Sequence, residues 1–310
     1  NTLELSSAAS DVYKRQVAIG IMNNAIVTSG VGNGFSLMIA QWSQGSLVLA
    51  IILIALASLV LGMGLPVTAA YIILAILTAP ALAGIMSDSL IVDALIEGIK
   101  DPTQSALFFL VDHPLATQVS EGMSQEDAWS LISAIPFEVA VTIRPVLVDP
   151  AAQITFLLTA HLIIFWLSQD SNVTPPVCLA AFAAAGIAGS RPMATGFESW
   201  KIAKGLYIVP LLFAYTPIIS GAWYEVLQIG GFALFGIYAT NALIQWYAEG
   251  PLDWLTVPLL IFGAIGSYWP LATLLNILGA LFVVGAIALS AKTARSLSNS
   301  PELPHQPRPH

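Results

Sequence analysis

The sequence contains one long uncharged stretch, from Gln16 to Ser87, in which no Asp, Glu, Lys or Arg occurs. A single membrane-spanning helix needs only ~20 apolar residues, so this stretch predicts several passes through a bilayer. Across the chain 57% of residues are hydrophobic and 9% are charged, whereas soluble domains carry roughly a quarter charged residues. Leu, Ile and Ala predominate without strict alternation, which favours helices over a membrane barrel. We therefore predict an all-α, polytopic integral membrane protein.

The net charge of −8 comes mainly from residues 84–150, which hold ten acidic side chains against Lys100 and Arg144. We interpret this segment as a water-facing insertion, either a docking surface or a passive lid. No basic patch interleaved with aromatic residues occurs, so nucleic-acid binding has no support. The single Cys178 allows neither an intramolecular disulfide nor a thiolate metal cluster. Inside the insertion the pattern predicts helices near Ser89–Ile99 and Ser124–Ser133 and an extended run near Val139–Val148.

The segment Gly62–Thr68, with the sequence GMGLPVT, interrupts a long apolar run. Its flanking arms, Leu47–Gly62 and Val67–Leu82, are each about 24 Å long if helical, which is shorter than the ~30 Å hydrocarbon core. The connector also lacks the polar residues expected of a loop that emerges into water. These features predict a re-entrant hairpin, with two tilted spans as the alternative.

A second break, Asn172–Pro176, separates the apolar segments Ala151–Leu167 and Pro175–Ala188. Irregular backbone at membrane depth is tolerated only where it is buried in protein or lines a cavity. Paired breaks of this kind indicate the binding site of a transporter. Carbonyls freed by Pro175 and Pro176, together with the side-chain oxygens of Asn172 and Thr174, suit a hard cation such as sodium.

Two ionisable residues near this break leave alternatives open. Asp170 is either a functional intramembrane carboxylate or a solvated loop charge. His161 lies on an apolar face, where a hydrogen-bonded core histidine is favoured over a proton relay. An intramembrane enzyme or lipid-handling protein using both residues is the alternative function, but on one continuous helix they lie ~14 Å apart. A purely structural membrane subunit is the third reading, and no hydrolase or Walker motif occurs.

Basic residues cluster after the second break and near the C-terminus, which by the positive-inside rule places both regions in the cytoplasm and the acidic insertion outside. The apolar segments between these clusters are Gly205–Trp223, Val226–Ala248 and Trp254–Leu289, the last forming two short passes. A first helix is predicted over Val17–Ile39. The predicted organisation is a non-native leader (1–16), a membrane helix and hairpin (17–83), the insertion (84–150), a discontinuous helix with a following helix (151–223), C-terminal membrane helices (224–291) and a disordered tail (292–310).

Several motifs resemble the large membrane subunit of TRAP transporters, the tripartite ATP-independent periplasmic family. The resemblance is closest to the fused permeases that work with TAXI-type binding proteins. It covers roughly residues 17–223 apart from the acidic insertion, and it implies that this chain is a C-terminal fragment. The segments that carry it are Leu61–Tyr71, Val173–Val177, Ala183–Gly189, Pro192–Phe197 and Pro210–Tyr215.

The resemblance implies a non-enzymatic, sodium-coupled permease with inverted repeats and elevator-like motion in the bacterial inner membrane. Its partners would be a periplasmic solute-binding protein, an organic anion, membrane lipids and the N-terminal repeat that this chain lacks. No cofactor is expected beyond the coupling ion sodium. By this analogy ion binding falls to Gly62, Gly64, Thr68, Asn172, Thr174 and Pro175, and substrate binding to Pro66, Thr68, Thr174 and Pro176. Relatives often place Asp directly before Val173, where this chain has Asn172 and an earlier Asp170, so sodium or proton coupling stays open.

Overall fold

The computed structural model describes residues 14, 17–18, 20–62, 65–111 and 113–298. Within these residues the regular structure is helical, and the sole β-type pairing is an isolated bridge between Tyr247 and Pro251. Four described helices are long and apolar enough to cross a membrane. The predicted all-α, polytopic membrane protein is therefore confirmed. The chain divides into two compact units between Gly196 and Phe197, and the predicted leader and the end of the tail lie outside the described residues.

The first unit begins with α1, which spans residues 20–29, and continues through α2 (Val31–Ser43), α3 (Leu47–Gly62) and α4 (Val67–Glu97). Gly30 separates α1 from α2 because it adopts a left-handed conformation with φ of 70°, which glycine reaches without steric cost. The single helix predicted over Val17–Ile39 is thus two helices. The α2 helix packs on both α3 and α4.

The second arm of the hairpin is much longer than the sequence indicated. The prediction ended it at Leu82, whereas α4 continues to Glu97 and contains 31 residues, about 46 Å of helix. It continues because apolar residues keep helical spacing beyond Leu82 and bury one face, including Ile91, Val92 and Leu95. The α3 helix, with 16 residues, is as short as the prediction of a re-entrant hairpin assumed. The α4 helix, in contrast, is long enough to span a membrane.

The acidic insertion folds into a small helical domain built on the end of α4, which we call the acidic cap (residues 84–150). Its helices are α5 (Pro102–Ala106), α6 (Gln125–Ala134) and α7 (Phe137–Leu147). The helix predicted near Ser124–Ser133 is confirmed as α6, with Ser124 as its N-cap. The cap has its own hydrophobic core, whose fully buried members include Leu95, Phe108, Leu131 and Ile143.

The extended run predicted near Val139–Val148 was wrong, because this segment forms α7. Its β-branched residues indicated a strand, but a strand requires a partner, and α7 instead packs against α4. Helical spacing places Ala140 and Ile143 on the buried side. In this context tertiary packing overrides local propensity.

Two contacts hold helices of the acidic cap in place, one between α7 and α4 and one between α6 and the turn that precedes α3. Arg144 forms a bidentate ion pair with Asp88 of α4, with its Nε and Nη2 atoms 2.8 and 2.7 Å from the two carboxylate oxygens. A Cβ at Gly84 would lie 2.8 Å from Arg144 Nη1, so the guanidinium fits here because Gly84 has no side chain. The indole of Trp129 packs over Gly45, in the turn between α2 and α3.

After the cap the chain re-enters the apolar region as α8 (Pro150–Gln169), which confirms the helix predicted over Ala151–Leu167. Asp149 caps its N-terminus by accepting a hydrogen bond from the amide of Ala151. The α8 helix lies against α4 and α3. Beyond the second break follow α9 (Leu179–Ala188) and α10 (Pro192–Ile202), so the apolar segment predicted from Pro175 becomes helical only at Leu179.

The second unit contains α11 (Val209–Tyr215), α12 (Trp223–Gln245), α13 (Thr256–Tyr268) and α14 (Thr273–Ser298). The pass predicted over Gly205–Trp223 was wrong, because the seven-residue α11 is flanked by a 3₁₀ turn (Ala203–Tyr207) and by irregular chain. Pro210 and Pro217 interrupt the helical hydrogen-bond ladder there. The two short passes predicted within Trp254–Leu289 correspond to α13 and α14.

Polar side chains satisfy backbone groups at both ends of α13. The side-chain amide of Asn276 donates to the carbonyls of Gly266 and Trp269, at 2.9 and 2.8 Å, and thereby satisfies the C-terminal end of α13. At the other end of α13, the amide of Thr256 donates to the Asp253 carboxylate at 2.8 Å. This bond lowers the pKa of the Asp253 carboxyl below its ordinary value.

Candidate functional site

The structure brings the two helix breaks together. One small cavity of about 130 Å³ is bounded on one side by the last turn of α3 and on the other by the irregular chain after α8. Its lining residues are Leu59, Val60, Gly62, Thr174, Pro175, Pro176 and Val177. Segments more than a hundred residues apart in sequence thus face each other across this cavity.

A buried hydrogen bond positions α3 beside the second break. The hydroxyl of Ser58 donates to the carbonyl of Leu167, in the last turn of α8, at 3.0 Å. The backbone amide of Asp170 donates to the same carbonyl. Because Gly62 lies one turn after Ser58, this contact places the glycine end of α3 beside the point where α8 ends.

The second break is a compact irregular segment. After Gln169 the chain forms a 3₁₀ turn over Asp170–Asn172 and becomes helical again at Leu179. The amide of Thr174 donates to the carbonyl of Asp170 at 2.9 Å, and the amide of Cys178 donates to the carbonyl of Thr174 at 3.2 Å. The intervening prolines have no N–H to donate, so the regular ladder cannot continue through them.

Asp170 and Thr174 form a buried polar pair inside this break. The Thr174 hydroxyl donates to the Asp170 carboxylate at 2.7 Å, and the two residues are only 3% and 7% exposed. Asp170 is therefore buried in protein and is not a solvated loop charge. A carboxylate enclosed in a membrane protein is a functional candidate because burying it carries a large desolvation cost.

The remaining residues assigned to the site have different positions. Asn172 is half-buried, whereas Pro66 and Thr68, at the start of α4, are exposed; none of the three lines the cavity. Gly64 lies outside the described residues. The structure therefore brings together Gly62, Thr174, Pro175 and Pro176, with Asp170 directly behind Thr174.

His161 has its own partner away from the break. Its Nδ1 atom is 3.1 Å from the hydroxyl of Tyr71, which lies on α4 and packs edge-on against Phe165. The predicted hydrogen-bonded core histidine is confirmed. Because α8 is continuous from Pro150 to Gln169, His161 and Asp170 stay ~14 Å apart along its axis, and the geometry that a two-residue enzyme needs is not formed.

Sequence reasoning missed four residues that shape the site. Leu59, Val60 and Val177 supply much of the apolar wall of the cavity, and Ser58 holds α3 in place. A signal was available for Ser58, since a serine one turn before a glycine break in a purely apolar helix marks a helix contact. The apolar wall suits the hydrocarbon part of a small ligand, and Thr174 joins this wall to the buried carboxylate of Asp170 through its hydroxyl.

A comparison with protein families matches this part of the chain to one family. The family model described as tripartite ATP-independent periplasmic transporter, DctM component, matches residues 9–219. That range includes both breaks, the cavity between them and the acidic cap. No curated protein and no solved structure matches the chain significantly.

Proposed function

The chain belongs to the family of tripartite ATP-independent periplasmic transporters as a DctM component, and from this premise we propose that it forms part of a permease for an organic anion. The permease is a secondary transporter of the bacterial inner membrane, and its substrate is a carboxylate. A periplasmic solute-binding protein delivers that substrate. The N-terminal repeat of the same permease completes the transport machinery.

The observation that carries this proposal is the shared cavity between the two breaks. A transporter needs a site at the meeting point of two interrupted helical segments, where irregular backbone offers polar groups within the membrane. Here Gly62 stands opposite Thr174, Pro175 and Pro176 across a cavity of about 130 Å³. The substrate's apolar part contacts Val60 and Val177.

The Asp170–Thr174 pair supports coupling to a cation. An anionic substrate is repelled by the nearby buried carboxylate unless a positive charge accompanies it. Sodium accepts oxygen ligands of the types present at the break, namely the Asp170 carboxylate, the Thr174 hydroxyl and the freed carbonyls. A proton on Asp170 is the competing solution to the same electrostatic problem.

In this proposal an elevator-type movement carries the cavity between the two sides of the membrane. The Ser58–Leu167 hydrogen bond and the packing of α3 and α4 on α8 support movement of the hairpin and the second break as one body. A rigid body keeps the cavity lining intact during translocation. The free energy of substrate binding is then available for the movement of this body, because the site does not have to form again.

The test is uptake by the full-length parent protein in proteoliposomes, supplied with its soluble binding protein and a radiolabelled carboxylate. We expect accumulation that requires an inward sodium gradient and proceeds without ATP. Collapse of the sodium gradient with an ionophore abolishes accumulation, while collapse of the proton gradient leaves it intact. Uptake that follows the proton gradient alone contradicts sodium coupling, and absence of any gradient-driven uptake contradicts the transport function.

A further inference from the structure

One side of α8 is exposed and carries a histidine among apolar side chains. Ile154, Leu157, Leu158 and Phe165 are exposed, and the half-buried His161 lies among them. These residues occupy positions i, i+3, i+4, i+7 and i+11 of a continuous helix, so they share one face. We call these five residues the His161 stripe.

The stripe lies inside a helix that is long and apolar enough to cross a membrane. His161 comes eleven residues after Pro150 and eight before Gln169, the two ends of α8. At 1.5 Å per residue it is therefore ~12 Å or more from either end of the helix. The chain covers α8 only in part, since 33% of its most apolar stretch is buried, compared with 72% for α4.

Only one of the two ring nitrogens of His161 has a partner among the described residues. Its Nδ1 atom is 3.1 Å from the hydroxyl of Tyr71. No described residue forms a hydrogen bond with Nε2, and the described chain does not enclose that atom. A neutral imidazole has one N–H donor and one acceptor nitrogen, so Nε2 needs a partner of the opposite kind to the one that Tyr71 gives Nδ1.

Other polar side chains in this region are satisfied. The hydroxyls of Thr155 and Thr159 donate to carbonyls one turn earlier in α8, at 2.9 and 2.7 Å. Within the hydrocarbon core an unpaired polar atom is costly, because no water is present to bond it. Ionisable side chains in membrane-spanning segments therefore face other helices or a water-filled cavity. Water is disfavoured beside Nε2, since every other member of the stripe is apolar.

A second copy of this chain does not supply the partner at this face. Two copies related by a two-fold axis bring the same surface patch together, and His161 is the only polar member of the stripe. Both Nε2 atoms then have the same role, either as two donors or as two acceptors, and they cannot bond each other. The partner must contribute a polar group of its own.

We propose that the His161 stripe packs against a membrane-spanning helix of the N-terminal repeat of the permease, and that this helix places a hydroxyl, amide or carboxyl group opposite Nε2. Such side chains form hydrogen bonds between helices in membranes. The rest of the contacting surface is apolar, because it covers Ile154, Leu158 and Phe165. This inference rests on the proposed function for the existence of that repeat, but not on any transport activity.

The first test is photo-crosslinking of the purified full-length parent protein in phosphatidylcholine vesicles. An aliphatic amino acid that bears a diazirine replaces Leu157 or Leu158, which flank His161 one turn earlier, and mass spectrometry identifies the adducts. We expect adducts with peptides of the N-terminal repeat. Adducts confined to lipid, water or residues 1–310 overturn the proposal. The same amino acid in place of Glu126, which is exposed in the acidic cap, shows the adducts of a water-facing position.

The second test addresses the hydrogen bond of Nε2. The double variant Tyr71→Phe with His161→Phe replaces both members of the described bond by apolar rings, which is nearly neutral when no other group loses a partner. A group opposite Nε2 does lose its partner, so we expect the midpoint of thermal unfolding of the parent protein to fall by several degrees.

The control for this second test is Thr155→Val, which removes a hydroxyl that bonds only within α8. A midpoint in the double variant that equals or exceeds that of the unaltered protein overturns the proposed bond. Neither test measures uptake, so their failure is distinct from failure of the proposed transport function.

Discussion

Thr174 donates a hydrogen bond of 2.7 Å to the carboxylate of Asp170, and both side chains are buried in the break between α8 and α9. Thr174 lines the cavity opposite Gly62, and Asp170 lies directly behind Thr174. Any cation or proton bound at Asp170 is therefore one residue layer from a ligand in the cavity. In the function proposed above, this adjacency would couple the two.

Replacing the hydroxyl of Thr174 tests its role as a cation ligand. Thr174→Val keeps the shape of the side chain but removes a hydrogen bond worth about 1–3 kcal/mol when its partner is charged and buried. We expect the sodium concentration for half-maximal uptake by the parent transporter to rise about tenfold. Thr159→Val is the control, because that hydroxyl bonds within α8 to the carbonyl of Thr155. An unchanged sodium requirement in Thr174→Val argues against the ligand role.

Removing the charge of Asp170 tests its coupling role. Asp170→Asn retains an oxygen that accepts the Thr174 hydrogen bond but abolishes the negative charge that attracts a cation. We expect uptake to lose its stimulation by a sodium gradient while the protein remains folded. The control is Asp149→Asn at the opposite end of α8, where Asn caps a helix as well as Asp does. Full sodium stimulation in Asp170→Asn excludes this carboxylate from coupling.

A methyl group at Gly62 tests the cavity. Gly62 is buried and lines the space opposite Thr174, so Gly62→Ala adds a methyl group at the cavity wall, and overpacking typically costs about 1–3 kcal/mol. We expect uptake to fall about tenfold or more while the amount of protein in the membrane stays constant. Gly230→Ala provides the comparison, since a Cβ there meets nothing within 4 Å. Equal uptake in the two variants contradicts a ligand in this cavity.

The Arg144–Asp88 pair holds α7 of the acidic cap on α4. Its side chains are 23% and 15% exposed, so Arg144→Ala leaves a largely buried carboxylate without its guanidinium and lowers the free energy of unfolding by about 1–3 kcal/mol. Lys201→Ala is the matched control, because the pair of Lys201 with Glu198 is mostly exposed and contributes about 0–1 kcal/mol.

The readout for this pair is limited proteolysis of the cap together with denaturant unfolding. We expect faster cleavage between residues 98 and 148 in Arg144→Ala and no change in Lys201→Ala. The double variant Arg144→Ala with Asp88→Ala recovers part of the lost stability, since no unpaired charge remains. Equal protease resistance in Arg144→Ala and the unaltered chain contradicts the anchoring role.

Asp253 gives the second unit a defined dependence on pH. The amide of Thr256 lowers the pKa of the Asp253 carboxyl in the folded state, so the ionised form stabilises the fold. This contribution is fully present above the ordinary carboxyl pKa of about 3.9 and is lost as the pH falls through the lower folded pKa. We expect the stability of the unaltered chain relative to Asp253→Asn to decline below about pH 4. A difference that does not vary with pH contradicts this assignment.

The two helix breaks illustrate how much of the site the sequence predicts. Gly62 and Pro66, or Pro175 and Pro176, interrupt a helix through the geometry of single residues, so a local pattern reveals them. That Gly62 faces Thr174 depends on packing between α3 and α8, which no local rule supplies. Ser58 and Val177 were missed for the same reason, because neither residue breaks a helix.

The acidic cap shows which parts of the fold the sequence did not predict. Its negative charge follows from composition, and the start of α6 follows from Ser124, the N-cap residue of that helix. The helical state of α7, however, was not predicted. Val139 and its β-branched neighbours favour a strand locally, and only the contact of α7 with α4 decides against it. The continuation of α4 to Glu97 also follows from packing, since the core of the cap buries its last turns.

By itself, the sequence determined that this protein is a helical membrane protein with two broken segments and one acidic insertion. Hydrophobicity, charge and the stereochemistry of Gly and Pro act over a few residues, and so they can be read along the chain. The tertiary structure alone decided which breaks share a cavity, that Thr174 reaches Asp170, and that the insertion folds onto α4. Those outcomes depend on contacts between residues distant in sequence, whose energies appear only when the helices are packed together.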